Sequence, residues 1–350
     1  MPLFVPASGD VFLGGGRSTS SIGTLRNNGA DTAITFSGAM FHPIRGDLII
    51  AGDNDYVGTM ATALAKLQQI ATLPVAATSP CRGLAMNWLD NGVLYWGSGN
   101  DYFRAPSDMS VWTQINAGLV GTRGPIFSIN GNPLLFAYDG STGARSLSTS
   151  NDNGVTWNPG AVNLAALMGG TSSANGLCIV SPDGSVVLMA GDSNTVISSQ
   201  VPEDNTQYEQ FVMVGSGGNI GTGAISSDNQ RAVVASNQGT IMVIDGGLSA
   251  GNESTLGLDV NFFRQTAANG ITPGCIVYSE KLSGFFVFAS SQNFFGFIPD
   301  DSMETMLYGQ VIGAGTIPSI FSSNMGQSAV DINGDFIIPC NNNLSLLNVS

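Results

Sequence analysis

A polar turn, an apolar run, a second polar turn and another strand-like stretch recur seven times along the chain. This recurrence predicts an all-β fold: a seven-bladed β-propeller closed by an N-terminal strand that completes the last blade. Turn chemistry, apolar runs and spacing each support it. The first turns are Arg45-Gly46-Asp47, Asp90-Asn91-Gly92, Asn130-Gly131-Asn132, Pro182-Asp183-Gly184, Asp228-Asn229-Gln230, Leu282-Ser283-Gly284 and Asn333-Gly334-Asp335. Glycine and asparagine tolerate the positive φ angles of tight hairpin turns, whose twist matches the flanking strands. The apolar runs that follow end at Ala51, Trp96, Ala137, Ala190, Ala235, Ala289 and Pro339, so successive units lie 41 to 54 residues apart. Hairpin units at such a period stack into propellers.

Within each unit, strand A leads through the first turn to B, the second turn leads to C, and a loop leads to the outer strand D. Inner strands read apolar, as in Ala33-Ile34-Thr35-Phe36 and Gly176-Leu177-Cys178-Ile179-Val180. Outer strands read mixed, as in Val111–Ile115, Tyr208–Val212 and Asn261–Arg264. That gradient suits sheets packed face to face with their last edge in solvent. The final unit, from Ala329 to Val349, holds about three strands, and Ser21-Ile22-Gly23-Thr24-Leu25 is a spare strand that supplies the fourth. Residues 20–350 are thus expected to form one propeller domain, and residues 1–19 an arm hinged at Gly14-Gly15-Gly16. Met60 to Ile70 has helix-friendly composition, yet the repeat register assigns it to strands C and D of the first unit.

Composition narrows the function classes. Charged residues make up 10% of the chain, against about 25% in an average globular protein. The net charge is −14, with Lys66 and Lys281 the only lysines. Such a chain lacks the basic surface that neutralises nucleic-acid phosphates or adheres to anionic lipid, so neither partner is expected. Cys81, Cys178, Cys275 and Cys340 form no CxxC pair, and His42 is the single histidine, so no zinc site and no cofactor are expected. Free thiols and a start without a signal-peptide pattern point to folding in a cytoplasm. No apolar run is long enough for membrane insertion.

The sharpest motif is Ser150-Asn151-Asp152-Asn153-Gly154-Val155-Thr156-Trp157, with a degraded counterpart at Ala105–Trp112. It resembles the Asp-box of sialidase-like (BNR-repeat) β-propellers over eight residues, and the periodicity agrees. Physically, Ser150 and Asp152 can bond the turn's own amides, Gly154 permits positive φ, Thr156 adds a hydroxyl, and Trp157 plugs between sheets. The resemblance implies that the box lies on the face opposite the family's substrate pocket, which makes Asp152 structural. The family's early Arg-Ile-Pro motif is absent; Phe41-His42-Pro43-Ile44-Arg45-Gly46 is the nearest string, and Arg45 and Arg231 fall at first turns. Sialidase chemistry is therefore not expected.

The second turns supply the binding candidates. They carry Asp53, Asp55 and Tyr56, then Asp101 and Tyr102, then Asp139, then Asp192, whereas the last three units carry amides. A polar ligand such as a host-surface glycan, or a Ca²⁺ held by Asp53 and Asp55, would suit these groups. Asp and Asn equally suit exposed turns for their own sake. A glycosidase would need paired carboxylates at a set separation, and the sequence alone does not place them.

Low charge, scarce lysine and Gly/Ser/Asn richness resemble the virion proteins of bacteriophages, and the propeller components of short-tailed phage tails in particular. That resemblance implies a non-catalytic structural component, folded in the host cytoplasm and then built into the virion tail. Its partners would be other tail proteins and copies of itself.

Overall fold

A computed structural model describes residues 10–13, 20–27, 36–52, 56–73 apart from 64 and 66, 81–97, 101–115, 119, 124–139, 145–168, 177–190, 194–214, 220–236, 240–255 apart from 250, 273–289, 294–310 apart from 305, 328–340 and 343–348. Two strands come first, β1 (Asp10–Leu13) and β2 (Ser20–Asn27). Six meanders follow. The first is β3 (Phe36–His42), β4 (Asp47–Gly52), β5 (Tyr56–Met60) and β6 (Gln68–Thr72). The second is β7 (Cys81–Asn87), β8 (Gly92–Gly97), β9 (Tyr102–Ala105) and β10 (Thr113–Gln114). The third is β11 (Ile126–Ser128), β12 (Leu135–Asp139), β13 (Ser146–Ser150) and β14 (Asn158–Asn163), capped by the short helix α1 (Ala165–Met168). The fourth is β15 (Leu177–Val180), β16 (Val187–Ala190), β17 (Thr195–Ser199) and β18 (Glu209–Val212). The fifth is β19 (Ile220–Ile225), β20 (Arg231–Ser236), β21 (Ile241–Asp245) and β22 (Glu253–Thr255). The sixth is β23 (Pro273–Ser279), β24 (Gly284–Ala289), β25 (Phe294–Pro299) and β26 (Leu307–Gln310). The chain closes with β27 (Ala329–Val330), β28 (Phe336–Cys340) and β29 (Asn343–Asn348).

Each meander is a four-stranded antiparallel sheet, and the remaining strands form one five-stranded sheet in the order β1-β2-β29-β28-β27. In that sheet Thr24 to Asn27 pair with Asn348 to Ser345, so strands from both ends of the described chain share one ladder. β1, from the segment expected to be an arm, pairs with β2 as the outermost strand.

The architecture is an all-β propeller, and the second strand of each sheet explains why. β4, β8, β16 and β20 are buried along nearly their whole length on both faces. Because side chains alternate across a strand, consecutive apolar residues serve different neighbours. Ile49 and Ala51 pack on the second sheet, with Val93 and Tyr95 facing them. Leu94 and Trp96 turn to the third sheet, meeting Leu135 and Ala137. Phe136 meets Val187 and Met189; Leu188 and Ala190 meet Ala232 and Val234; Val233 and Ala235 meet Phe285 and Val287. Phe286 then packs edge-to-face against Phe336 of the five-stranded sheet, with centroids 5.2 Å apart. The next residue, Ile337, packs with Leu48 and Ile50 of the first sheet. The series of sheets returns to its beginning.

In the first sheet β3 pairs with β4 from Phe36 to His42; residues 33–35 of the expected inner strand lie outside the described residues. The outer strand of the fifth sheet is Glu253–Thr255, whose partners are Met242 to Ile244; Asn261–Arg264 lies outside the described residues. Between Met60 and Ile70, ladder pairing prevails over helix propensity: β5 ends at Met60 and β6 starts at Gln68, with a turn between. Cys81 and Cys275 are buried and Cys178 is half-buried, and none of the three forms a disulfide.

Phe286 is fully buried and meets Phe288, Phe295, Phe297 and Phe336 at centroid distances of 4.8 to 6.0 Å. Phe286→Ala should cost about 3–5 kcal/mol, read as a lower midpoint in urea unfolding. A loss below about 1 kcal/mol would mean that this cluster does not join the two sheets as described.

Candidate functional site

In a four-stranded meander the A–B and C–D connections fall at one end of the sheet and the B–C connection at the other. The A–B end is the better described, and its chemistry is dominated by side chains that bond their own turns. The box at 150–157 joins β13 to β14. Ser150 Oγ donates to Asp152 Oδ1 at 2.8 Å and accepts from the Gly154 amide at 2.8 Å. The Thr156 amide and hydroxyl donate to the two carboxylate oxygens of Asp152 at 2.8 and 2.6 Å. Asn153 and Gly154 take φ of 57° and 87°, which glycine and asparagine adopt at least cost. Trp157 Nε1 donates to the Ile115 carbonyl at 2.7 Å, which ties the third sheet to the second. Donation from Thr156, first from its hydroxyl and then from its amide, and then from Ser150, holds the Asp152 carboxyl at about 2. A carboxylate stabilised in this way is a poor proton donor or acceptor near neutrality.

The design recurs. Asp108 accepts from the Ser110 amide at 3.0 Å, Met109 takes φ of 55°, and Trp112 is buried in the place of Trp157. Asp204 accepts from the Thr206 amide and hydroxyl at 2.9 and 2.7 Å, and Tyr208 follows in the aromatic place. A–B turns use similar serine–aspartate pairs: Ser181 donates to Asp183 at 2.6 Å and Ser226 to Asp228 at 2.5 Å.

A second set of polar contacts runs from each sheet to the next around this end. His42 Nε2 lies 3.1 Å from the Asn91 carbonyl while Nδ1 accepts from the Arg45 amide, an arrangement that selects the Nε2–H tautomer. Burial of His42 lowers its pKa and keeps the ring neutral. Arg45 also reaches the Ser107 carbonyl at 2.8 Å. Between the second and third sheets, the Trp88 amide donates to Ser128 Oγ, Asn87 donates to Asn153, and Asn153 donates to Asp90. The Asn130 amide donates to the Gly184 carbonyl, Asn229 to Asp183, and Ser227 to Glu280. Lys281 pairs with Asp335 at 3.7 Å. The buried Asp331 then accepts from the Ala63 amide of the first sheet at 2.8 Å, and from the Asn333 and Asp335 amides of its own turn.

The predicted ligand-binding residues are described only in part. Asp53, Asp55 and Asp192 lie outside the described residues. Tyr56 is buried between the first and five-stranded sheets, and burial raises its pKa. Tyr102 is buried between the second and third sheets and its hydroxyl donates to the Gly124 carbonyl at 2.9 Å. Both tyrosines head apolar strands, which draws them into the core and away from the rim where a ligand was expected. Asp101 is buried as well. Among the described residues, no group of three His, Cys, Asp or Glu could hold a metal ion. Sequence reasoning missed Asp331, Asn153, Ser128 and Asn229 as contacts between sheets. Most of these positions sit at visible turns, but their partners lie 40 to 268 residues away in sequence.

With this geometry in view, the comparisons with known proteins agree on the class. No family model and no curated protein sequence matches the chain. Solved structures do. A streptogramin B lyase superposes with a TM-score of 0.68 at 11% identity, over 99% of this chain and 100% of that one. YCF48 from Cyanidioschyzon merolae gives 0.62 at 9% identity, over 93% and 98%. The RRP9 WD40 repeats give 0.61 at 10% identity, over 93% and 97%. The chain is a β-propeller, and at these identities the likeness concerns the fold alone.

Two outcomes follow for this end of the molecule. Asp331→Ala strips the acceptor from three amides, one of them the buried Ala63 N–H, and should cost about 1–3 kcal/mol in urea unfolding. A change within experimental error would remove Asp331 from the contacts that join first and last sheets. For Asp152, the folded value lies below the ordinary 3.8, so its contribution is complete above that value and disappears as pH falls through about 2. Carboxyl NMR should place its midpoint near 2, and Thr156→Val should move it upward; an Asp152 midpoint close to 3.8 would contradict the bonding described.

Proposed function

We propose that the chain is a non-catalytic interaction propeller, a structural component of a bacteriophage virion associated with the tail. In this reading the five-stranded sheet is the seventh blade, with β2 as the N-terminal strand that closes the ring. Support comes from the Thr24–Asn27 ladder on β29 and from the packing of Ile337 on Leu48 and Ile50. The observation that carries the functional reading is the use made of the polar groups at the A–B end. Asp152, Asp183, Asp204, Asp228 and Asp331 accept bonds from their own turns or from the next sheet, which gives a stiff surface whose carboxylates already have structural work. A rigid ring with a stiff face suits assembly contacts. The phage assignment draws on the low charge, the two lysines and the Gly/Ser/Asn-rich composition. It places the chain beside other tail proteins and further copies of itself, after folding in the host cytoplasm.

A second reading is a glycan-binding propeller. The observation that favours it is a shallow depression of about 230 Å³ beside the box, lined in part by Trp157, Asn151, Asn158 and Thr149. An indole flanked by amides and hydroxyls is the chemistry of sugar recognition.

Mass spectrometry of purified tailed-phage particles encoding this chain should find it as a stoichiometric component. Its absence from particles would end the virion reading. Binding of the purified chain on a glycan array, lost in Asn151→Ala/Asn158→Ala, would instead favour the second.

A further inference from the structure

We propose that the end of the propeller bearing the A–B and C–D turns docks a protein partner whose contact surface is cationic, with lysine or arginine side chains around apolar recesses. The proposal rests on the interaction-module reading and names the face and the chemistry that reading leaves open. Its first support is where apolar side chains reach solvent. Of eight large apolar residues exposed among the described ones, five sit in turns at this end: Ile332 (72%), Val111 (63%), Val155 (61%), Ile44 (56%) and Val201 (40%). Single exposed apolar residues are ordinary, but five gathered at one end mark a contact surface.

The inter-sheet contacts put these five side chains in sequence around the end. Ile332 follows Asp331, which holds the first sheet through Ala63. Ile44 precedes Arg45, whose guanidinium holds the Ser107 carbonyl in the connection that also carries Val111. Val155 is two residues from Asn153, which donates to Asp90 of the second sheet. Val201 is two residues from Glu203, whose carboxylate accepts from Asn132 of the third. The apolar positions thus follow one another across five successive sheets, on turns already stiffened by hydrogen bonds, so little ordering entropy remains to be lost on binding.

Charge selects the occupant. The cations described at this end are already matched: Arg45 with Asp47, Arg104 with Asp90, Arg231 with Asp228 and Asp245, and Lys281 with Asp335. Asp108, Asp152, Glu203, Asp301 and Glu304 are described there too, all exposed and outside those pairs. This leaves the face with surplus negative charge between its apolar side chains. A second copy docked through the same face would set these carboxylates against their own kind, which costs affinity. Nucleic acid and anionic lipid are repelled likewise. A cationic protein surface gains both burial of the five apolar side chains and complementary charge.

The test uses the full-length chain and two synthetic peptides of equal length, one alternating leucine with lysine and one alternating leucine with glutamate, read by fluorescence anisotropy. The lysine peptide should bind and the glutamate peptide should not. Raising salt from about 0.05 to about 0.5 M should weaken binding about tenfold or more. The double variants Val111→Ser/Ile332→Ser and Asp301→Asn/Glu304→Gln should each weaken it about tenfold, with unchanged thermal melting because all four positions are exposed. The outer-strand control Val212→Ser/Leu307→Ser should bind as the parent does. Equal binding of both peptides, no loss in either turn-face variant, or loss only in the control would overturn the proposal. The particle measurement above is independent of it. A chain found in virions but indifferent to the lysine peptide would fail this proposal alone, and one that binds the peptide through this face but is absent from particles would fail the virion reading alone.

Discussion

The structure depends on one constraint: the second strand of each sheet is apolar on both of its faces. An isolated sheet with such a strand would leave both apolar faces in water, at roughly 25 cal/mol for every Å² of apolar surface left exposed. Each sheet therefore needs a neighbour on either side. Alternation divides the work within a single strand, as where Leu94 and Trp96 look to one neighbour and Val93 and Tyr95 to the other. A linear stack would leave two sheets half covered. The packing of Ala329 and Ile337 on Leu48 and Ile50 relieves both ends at once.

Polar contacts at the A–B end then fix what apolar packing leaves free. Dispersion and burial are tolerant of small rotations between sheets, whereas a hydrogen bond of about 2.8 Å is not. Links such as Asn229 to Asp183, Ser227 to Glu280 and Ala63 to Asp331 set the relation of each sheet to the next. They also shape the chemistry of the face. Asp152 and Asp204 are held ionised by the donors of their own turns, so they contribute fixed charge and rigidity and take little part in proton transfer. What this end presents outward is a firm surface with negative charge and a few apolar side chains.

Much of this was legible in the chain itself, because the information was local. Runs such as Val93-Leu94-Tyr95-Trp96 announce strands buried on both faces, Asn-Gly and Asp-Gly announce the hairpin turns, and the box at 150–157 contains both halves of its own hydrogen bonds, separated by at most four residues. The burial of Tyr56 and Tyr102 was not legible, for the opposite reason. Tyr56 and Tyr102 follow polar turn residues and read as rim groups, but whether a side chain at a strand's start faces solvent or the neighbouring sheet depends on how that neighbour is set.

The sequence by itself therefore determined the strands, the turns and their repetition, since each is decided by interactions within a few residues. Tertiary structure alone decided which carboxylate meets which amide across a sheet boundary, and which apolar side chains are left facing water at one end. Asp331 and Ala63 are 268 residues apart along the chain, and no local preference of either residue encodes the other. Only the circular stacking of sheets, driven by two-sided burial, brings them within hydrogen-bonding reach.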